Sequence, residues 1–205
     1  MRILNPVILD DLEAGKYLRL DLGSGARKQK GFFGVDAVEL EGVDIVADLN
    51  RPMEDLPDDS VIEVHSKHTF EHVANLVGLL EELHRVVRPE GRITVTVPHF
   101  SSPYGYSDPT HLRSFGLFTM YYFCDPEDQP SRKVPCHYVD IRFFVDEVYV
   151  KFSTRGVLGT TIGRIMRRLV NLGFAAQHFY ERRLSWFWPA DEIRYVMRPK
   201  KPSSR

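Results

Sequence analysis

Two histidines and a carboxylate share one segment of this chain, PHFSSPYGYSDPTHLRSFGLF (98–118), which contains His99, Asp108 and His111 along with Tyr104 and Tyr106. Histidine can accept a proton near neutral pH, and a nearby aspartate can orient the ring and stabilise its charged form. His111 with Asp108 is therefore the first candidate for a general base, and His99 the second. The competing reading is that Asp108-Pro109 opens a turn, Asp108 caps a short helix and His111 lies on the surface. The same side chains could offer nitrogen and oxygen to a cation, but the sequence has no tight ligand motif and no metal is assigned. His68 and His72 stand four apart in HTFEH, yet Glu71 occupies the wrong position for the zinc-protease pattern HExxH. His72 reads as a hydrogen-bonding residue at a helix start, and His68 as a residue facing a cofactor.

A second chemical signal lies earlier, in LRLDLGSGARKQKGFFGVDAVE (18–39). A buried apolar run passes into the glycine pair Gly23 and Gly25, where the missing Cβ atoms let backbone approach a ligand. A second apolar run ends at Asp36, whose two carboxylate oxygens match the vicinal hydroxyls of a ribose. A dinucleotide site is compatible with this pattern, but the third glycine of that fingerprint is missing and basic ARKQK follows instead.

Short apolar runs at 17–22, 32–36, 43–49, 61–66 and 92–98 are β-branched and nearly continuous, as in strands buried on both faces of a parallel sheet. Between the last two, Leu76, Leu79, Leu80, Leu83, Val86 and Val87 recur at helical spacing, with Pro89 and Gly91 expected to stop the helix. Residues 98–136 read as long loops with a short helix at 114–123, and long loops after parallel strands are usually functional. Runs at 141–152 and 192–199 read as two closing strands that give the sheet an antiparallel end. They flank a helix, TIGRIMRRLVNLG (161–173), with Ile162, Ile165, Met166 and Leu169 expected on its apolar face and Arg164, Arg167 and Arg168 on the other. In such a sheet ligands lie beyond the carboxyl ends of the strands. The residues to watch are thus Gly23 to Gly25, Asp36, Asp48 with Leu49, Ser66 to His68, and Pro98 to Phe100.

With 205 residues and 43% hydrophobic content, the chain is expected to form one domain, 1–205, with a basic and aromatic helical insertion at about 155–190. Lys and Arg number 27 against 28 Asp and Glu, so a net charge of -1 offers no general attraction to nucleic acid or an anionic membrane. Any such contact would fall to the patch around Arg164, Arg167 and Arg168, as a lid with a solvated face, an anion or phosphosugar site, or a peripheral membrane contact. Neither a signal peptide nor a long apolar span is visible, and a cytoplasmic location is expected. Cys124 and Cys136 read as free thiols.

Taken together, LDLGSG, GVDAVE, ADLNRPMEDLPDDSVIEVHSKHTFEHV and LLEELHRVVRPEGRITVTVPHF resemble class I methyltransferases that use S-adenosylmethionine, in the right order over residues 17–100. The resemblance implies a Rossmann-like α/β fold with a seven-stranded sheet and helices on both faces. It implies that Asp21, Gly23 and Gly25 border the methionine part of the cofactor, that Asp36 holds the ribose, that Asp48 with the Leu49 backbone recognises adenine, and that Ser66 lies beside the cofactor. The chain departs from the family between Gly25 and Val35, where residues 26–34 leave no room for the usual helix. The DPTHLRSF pattern resembles one lining the acceptor pocket of sugar and polyketide methyltransferases in this superfamily. The function expected is methyl transfer to a small-molecule or glycan hydroxyl, or to an amine. The rivals are an NAD-binding Rossmann oxidoreductase and a non-catalytic cofactor-binding module.

Overall fold

The computed structural model describes residues 1–154 and 157–201. Eight strands form one sheet: β1 (Arg2–Ile3), β2 (Leu18–Leu22), β3 (Phe33–Asp36), β4 (Val43–Val46), β5 (Val61–Lys67), β6 (Val87–Pro98), β7 (Phe143–Lys151) and β8 (Glu192–Pro199). Their order is β1-β4-β3-β2-β5-β6-β8-β7. Strands β4, β3, β2, β5 and β6 run parallel, and β8 lies antiparallel between β6 and β7. The expected sheet with an antiparallel end is present, with one addition. The short β1 pairs antiparallel with β4 at the edge, making eight strands rather than seven.

The central strands are buried on both faces: Leu18, Leu20, Leu22, Val61, Val64, Ile93, Val95 and Val97 are all solvent-inaccessible. Helix α1 (Val7–Glu13), which had no clear periodic signal, packs Ile8 into the core. Helix α2 (Leu76–Val86) buries Leu76, Leu79, Leu80, Leu83 and Val86, as their spacing predicts, and the Asn75 side chain caps it by accepting from the Gly78 amide. The helix stops before Pro89 and Gly91, as expected, although the next strand begins earlier than expected. The chain turns extended at Val87, and both residues belong to β6, where an irregularity opposite β5 absorbs them. Proline also favours an extended residue before it, which suits Arg88 to a strand.

Of the helix expected at 114–123, a 3-10 turn at Thr119–Phe123 is present, and a short helix α3 (Pro103–Ser107) lies before it where only loop was expected. Helix α4 (Val157–Val170) is followed by α5 (Phe174–Arg183), which has no separate signal in the sequence. The apolar face of α4 also differs from expectation, since Ile165 and Leu169 are exposed while Gly163 and Val170 face inward. A Cβ at Gly163 would lie 2.0 Å from the Ser153 carbonyl oxygen, so the glycine allows the close approach that sets this rotation. Among the described residues, no helix is long and apolar enough to cross a membrane.

No helix joins β2 to β3, as the short spacing predicts. Parallel neighbours usually need a longer crossover, and here three carboxylates fix a loop in its place. Asp21 Oδ2 accepts from the Gln29 amide at 2.7 Å, Asp36 Oδ2 from the Gly25 amide at 2.9 Å, and Asp44 Oδ2 from the Gly34 amide at 2.7 Å. Asp44 also pairs with Lys28 and accepts from Asn5 Nδ2 at 2.7 Å. Burial pushes the Asp44 carboxyl up, but the bonds from Lys28, Asn5 and Gly34 outweigh it and leave the group below its ordinary value of 3.8. Such a group stabilises the fold above its unfolded pKa, and that contribution fades as pH falls through the lower folded value. Asp44→Ala is expected to cost about 3 kcal/mol in urea unfolding at pH 7. The gap between variant and wild type should narrow toward pH 3.

Candidate functional site

The carboxyl ends of β2, β3, β5 and β6 carry most of the candidate residues, in two neighbouring hollows. The first lies over β2 and β5 and is bordered by Asp21, Gly23, Ser24, Arg27, Gln29, His65 and Lys67. Gly23 and Gly25 take left-handed φ values of 68° and 53°. They differ in surroundings. A Cβ on Gly23 would lie 2.0 Å from Thr69 Oγ1, whereas one on Gly25 would meet nothing within 4 Å. Thr69 and Ser66 both direct their hydroxyls to the Leu22 carbonyl, at 3.1 and 3.3 Å, and brace the start of the loop from the β5 side. Ser66 is fully buried, and its hydroxyl supports the start of the glycine loop.

Asp21, 5% exposed, spends its second oxygen on His65 Nδ1 at 2.8 Å. Asp36 is half-buried and takes the Gly25 and Val38 amides, one on each oxygen. A carboxylate oxygen accepts more than one bond, so this bracing leaves capacity for ribose hydroxyls. Asp48 is exposed and folds back on the amide and side chain of Asn50, at 2.9 and 2.8 Å. It borders a separate hollow with Val46, Ala47, Arg51 and Pro52, and the Leu49 side chain is buried in the core.

The second hollow, about 810 Å³, opens beyond β5, β6 and β8 and is lined by residues including His68, Glu71, His72, Asp108, His111 and Glu192. It borders the first through consecutive residues, because Lys67 lines one and His68 the other. His68 takes a left-handed φ of 56°, uncommon for a side-chain-bearing residue. Its Nε2 meets Glu192 Oε1 at 3.0 Å and its Nδ1 lies 3.4 Å from Glu71 Oε1. The Glu192 bond first, and Glu71 second, raise its pKa to about 9, while His68 and then Lys151 hold Glu192 near 2. His68 is thus an imidazolium at neutral pH. Glu192 opens the last strand in sequence, but antiparallel β8 places it opposite Pro98, at the ligand-bearing edge.

The loop carrying Asp108 and His111 is tied to the turn after β5. The Leu112 amide donates to the Glu71 carbonyl at 2.9 Å, and Arg113 bonds the carbonyls of Val73 and Ala74, at 2.5 and 2.9 Å. His111 Nδ1 donates to the Gly105 carbonyl at 3.0 Å, which leaves the Nε2 lone pair of the neutral ring 3.8 Å from Asp108 Oδ2 and 3.9 Å from Glu71 Oε1. Asp108 and His111 therefore share the second hollow. His99 does not reach it. Its ring is fully buried behind β6, with Nε2 3.1 Å from Glu181 Oε1 and Nδ1 2.8 Å from Ser101 Oγ, so both nitrogens are committed to packing the loop.

Sequence spacing missed Glu71, which is 1% exposed, and it placed His72 at a helix start when the residue sits in a turn. It also missed His65, although the alternation around buried Val64 and Ser66 puts that ring on the Asp21 side of the sheet.

Residues 14–95 match the family described as a methyltransferase domain. The match spans 82 of the 205 residues and covers the glycine loop and strands β2 to β5. The chain is also similar to a SAM-dependent methyltransferase from Archaeoglobus fulgidus, at 17% identity and a TM-score of 0.52, over 95% of this chain and 93% of that one. A chain from the complex containing the Trm112 methyltransferase activator of Haloferax volcanii aligns at 15% identity and a TM-score of 0.52, over 92% and 84% of the two chains. These likenesses concern the fold. No curated protein sequence matches the chain.

The two glycines of the loop should respond differently to added bulk. Both alanine variants strain a left-handed backbone by roughly 1 kcal/mol. Gly23→Ala must also displace Thr69 and should lower the melting temperature markedly. Gly25→Ala should stay folded and instead weaken S-adenosylmethionine binding in calorimetry, because its methyl projects into the open side of the loop.

Proposed function

We propose that the enzyme transfers the methyl group of S-adenosylmethionine to a hydroxyl or amine of a small molecule or glycan held in the hollow lined by His111. The carrying observation is the shared wall, in which Lys67 borders the glycine loop and His68 borders the acceptor hollow. A cofactor seated over Gly25 would have its ribose at Asp36 and its sulfonium toward that wall. The volume suits a drug-sized or sugar-sized acceptor. Methyl transfer is an in-line displacement, so most of the catalytic work is alignment at near-attack distance. An acceptor hydroxyl must also lose its proton, and His111 Nε2 is the base we assign to it.

Asp108 lies next to this nitrogen but is itself anchored, since Oδ1 accepts the amide and hydroxyl of Thr110 at 2.8 and 2.6 Å. Those bonds hold its carboxyl below the ordinary value. It stays anionic at neutral pH, beside the nitrogen proposed to take up the proton. We assign the whole chain to one domain on these grounds, because the residues proposed for the two hollows come from both halves of the sequence. The exposed arginines of α4 are the surface best suited to an anionic group on the acceptor or its carrier.

His111→Ala should lower turnover of a competent acceptor by about 10² to 10⁴, the range for a positioned base. Its affinity for S-adenosylhomocysteine should stay close to wild type. Product formation followed by mass spectrometry, beside a calorimetric titration, separates the two effects. Full activity in the variant would remove His111 from the mechanism, and lost cofactor affinity would make it structural.

A further inference from the structure

Glu71 is a buried carboxylate held by an ion pair to His68 and by no well-aligned hydrogen bond. It is 1% exposed, and neither of its oxygens has a partner in hydrogen-bonding geometry. The nearest basic nitrogens, His68 Nδ1 at 3.4 Å and His111 Nε2 at 3.9 Å, both approach Oε1. Buried polar groups nearly always find a partner, and an exception calls for an unseen water or ion. Glu71 lines the acceptor hollow beside His72 and His111.

These three side chains each offer a ligand atom, and the three atoms lie within 4.8 Å of one another. The two imidazoles pack edge to face, with ring centroids 4.7 Å apart. Both rings are oriented from behind. The Gly105 carbonyl takes the proton of His111 Nδ1. The Thr110 hydroxyl donates to Asp108, so it accepts from His72 Nδ1, at 2.9 Å. Each neutral ring is left with its lone pair on Nε2. Metal-binding histidines commonly donate their other N–H to a carbonyl or carboxylate in this way, which fixes tautomer and orientation.

We propose that Glu71, His72 and His111 form a binding site for a first-row divalent transition cation within the acceptor hollow. Two imidazoles and one carboxylate suit zinc, manganese or iron better than magnesium or calcium, which favour oxygen ligands. Ligand atoms about 2 Å from a tetrahedral ion lie roughly 3.3 Å apart, so closing the triad from its present span moves each side chain by less than about 1 Å. Three protein ligands leave a position open toward the hollow, as in catalytic zinc sites.

With the cation bound, the His111 lone pair is taken and the ring no longer serves as the base; an acceptor hydroxyl in the open position would instead be acidified by the ion and release its proton to water in the hollow. What the ion does for the acceptor rests on the proposed function. Whether it binds does not.

The test is calorimetric titration of Zn2+ into the full chain after chelator treatment, with neither cofactor nor acceptor present. One Zn2+ per chain is expected, with no saturable heat from Mg2+. Losing an orienting partner costs about 10- to 100-fold in affinity, so Glu71→Gln and His72→Ala should each lose at least that much, and Thr110→Val about tenfold. Unchanged melting temperatures and S-adenosylhomocysteine affinity in these variants would show that the fold and the cofactor site persist. Absence of saturable Zn2+ binding to wild type overturns the proposal, as does equal affinity in Glu71→Gln and His72→Ala. Either result leaves His111 as a metal-free base, while failure of the cofactor to bind wild type would refute the proposed function and not the cation site.

Discussion

Three carboxylates holding three backbone amides are the constraint on which the rest of the site depends. Asp21, Asp36 and Asp44 receive the amides of Gln29, Gly25 and Gly34, and together they shape a crossover from β2 to β3 that has no helix. Charge-assisted bonds of this kind are about twice as strong as neutral ones. They do the work usually done by packing a helix on the sheet. The geometry of Gly25 and the position of Asp36 are set by one bond between them, so the loop that receives a cofactor and the carboxylate proposed for its ribose move as a unit.

The second half of the site follows from topology. Antiparallel β8 brings Glu192 to the carboxyl end of β6, where it meets His68 at the end of β5. Arg113 and the Leu112 amide then lash the loop after β6 to the turn after β5. His111 is thereby brought beside Glu71 although the two are far apart in sequence. Two hollows result, with consecutive residues on either side of their common wall. The same arrangement concentrates charge: an imidazolium at His68, a carboxylate at Glu192 and a buried carboxylate at Glu71 surround the position where an acceptor would lie.

The sheet was legible in the sequence because its strands are buried on both faces and read as unbroken apolar runs. Helix α2 was legible because one face alone is buried. The spacing after Gly25 also carried its message, since no multi-turn helix fits there. Helix α5 was not legible, because exposed Phe179 and buried Gln177 break any apolar period. The error on α4 has a similar source, as Gly163 sets the buried face through a close backbone approach that apolar patterning does not record. Strand-end residues such as Asp36 could be placed by the parallel-sheet rule. His99 follows the same rule yet turns inward, because Glu181 on α5 supplies a buried partner that a sequence cannot reveal. Glu71 and His72 were obscure for the converse reason, since their neighbour His111 arrives through tertiary contacts.

The most direct test of the account is a crystal structure of the full chain with S-adenosylhomocysteine. The account predicts ribose hydroxyls on the Asp36 carboxylate, the chain of the ligand over Gly25, and the sulfur directed past Lys67 and His68 into the hollow that contains His111. A ligand bound outside the β2 and β3 strand ends, or a sulfur directed away from that hollow, would contradict it.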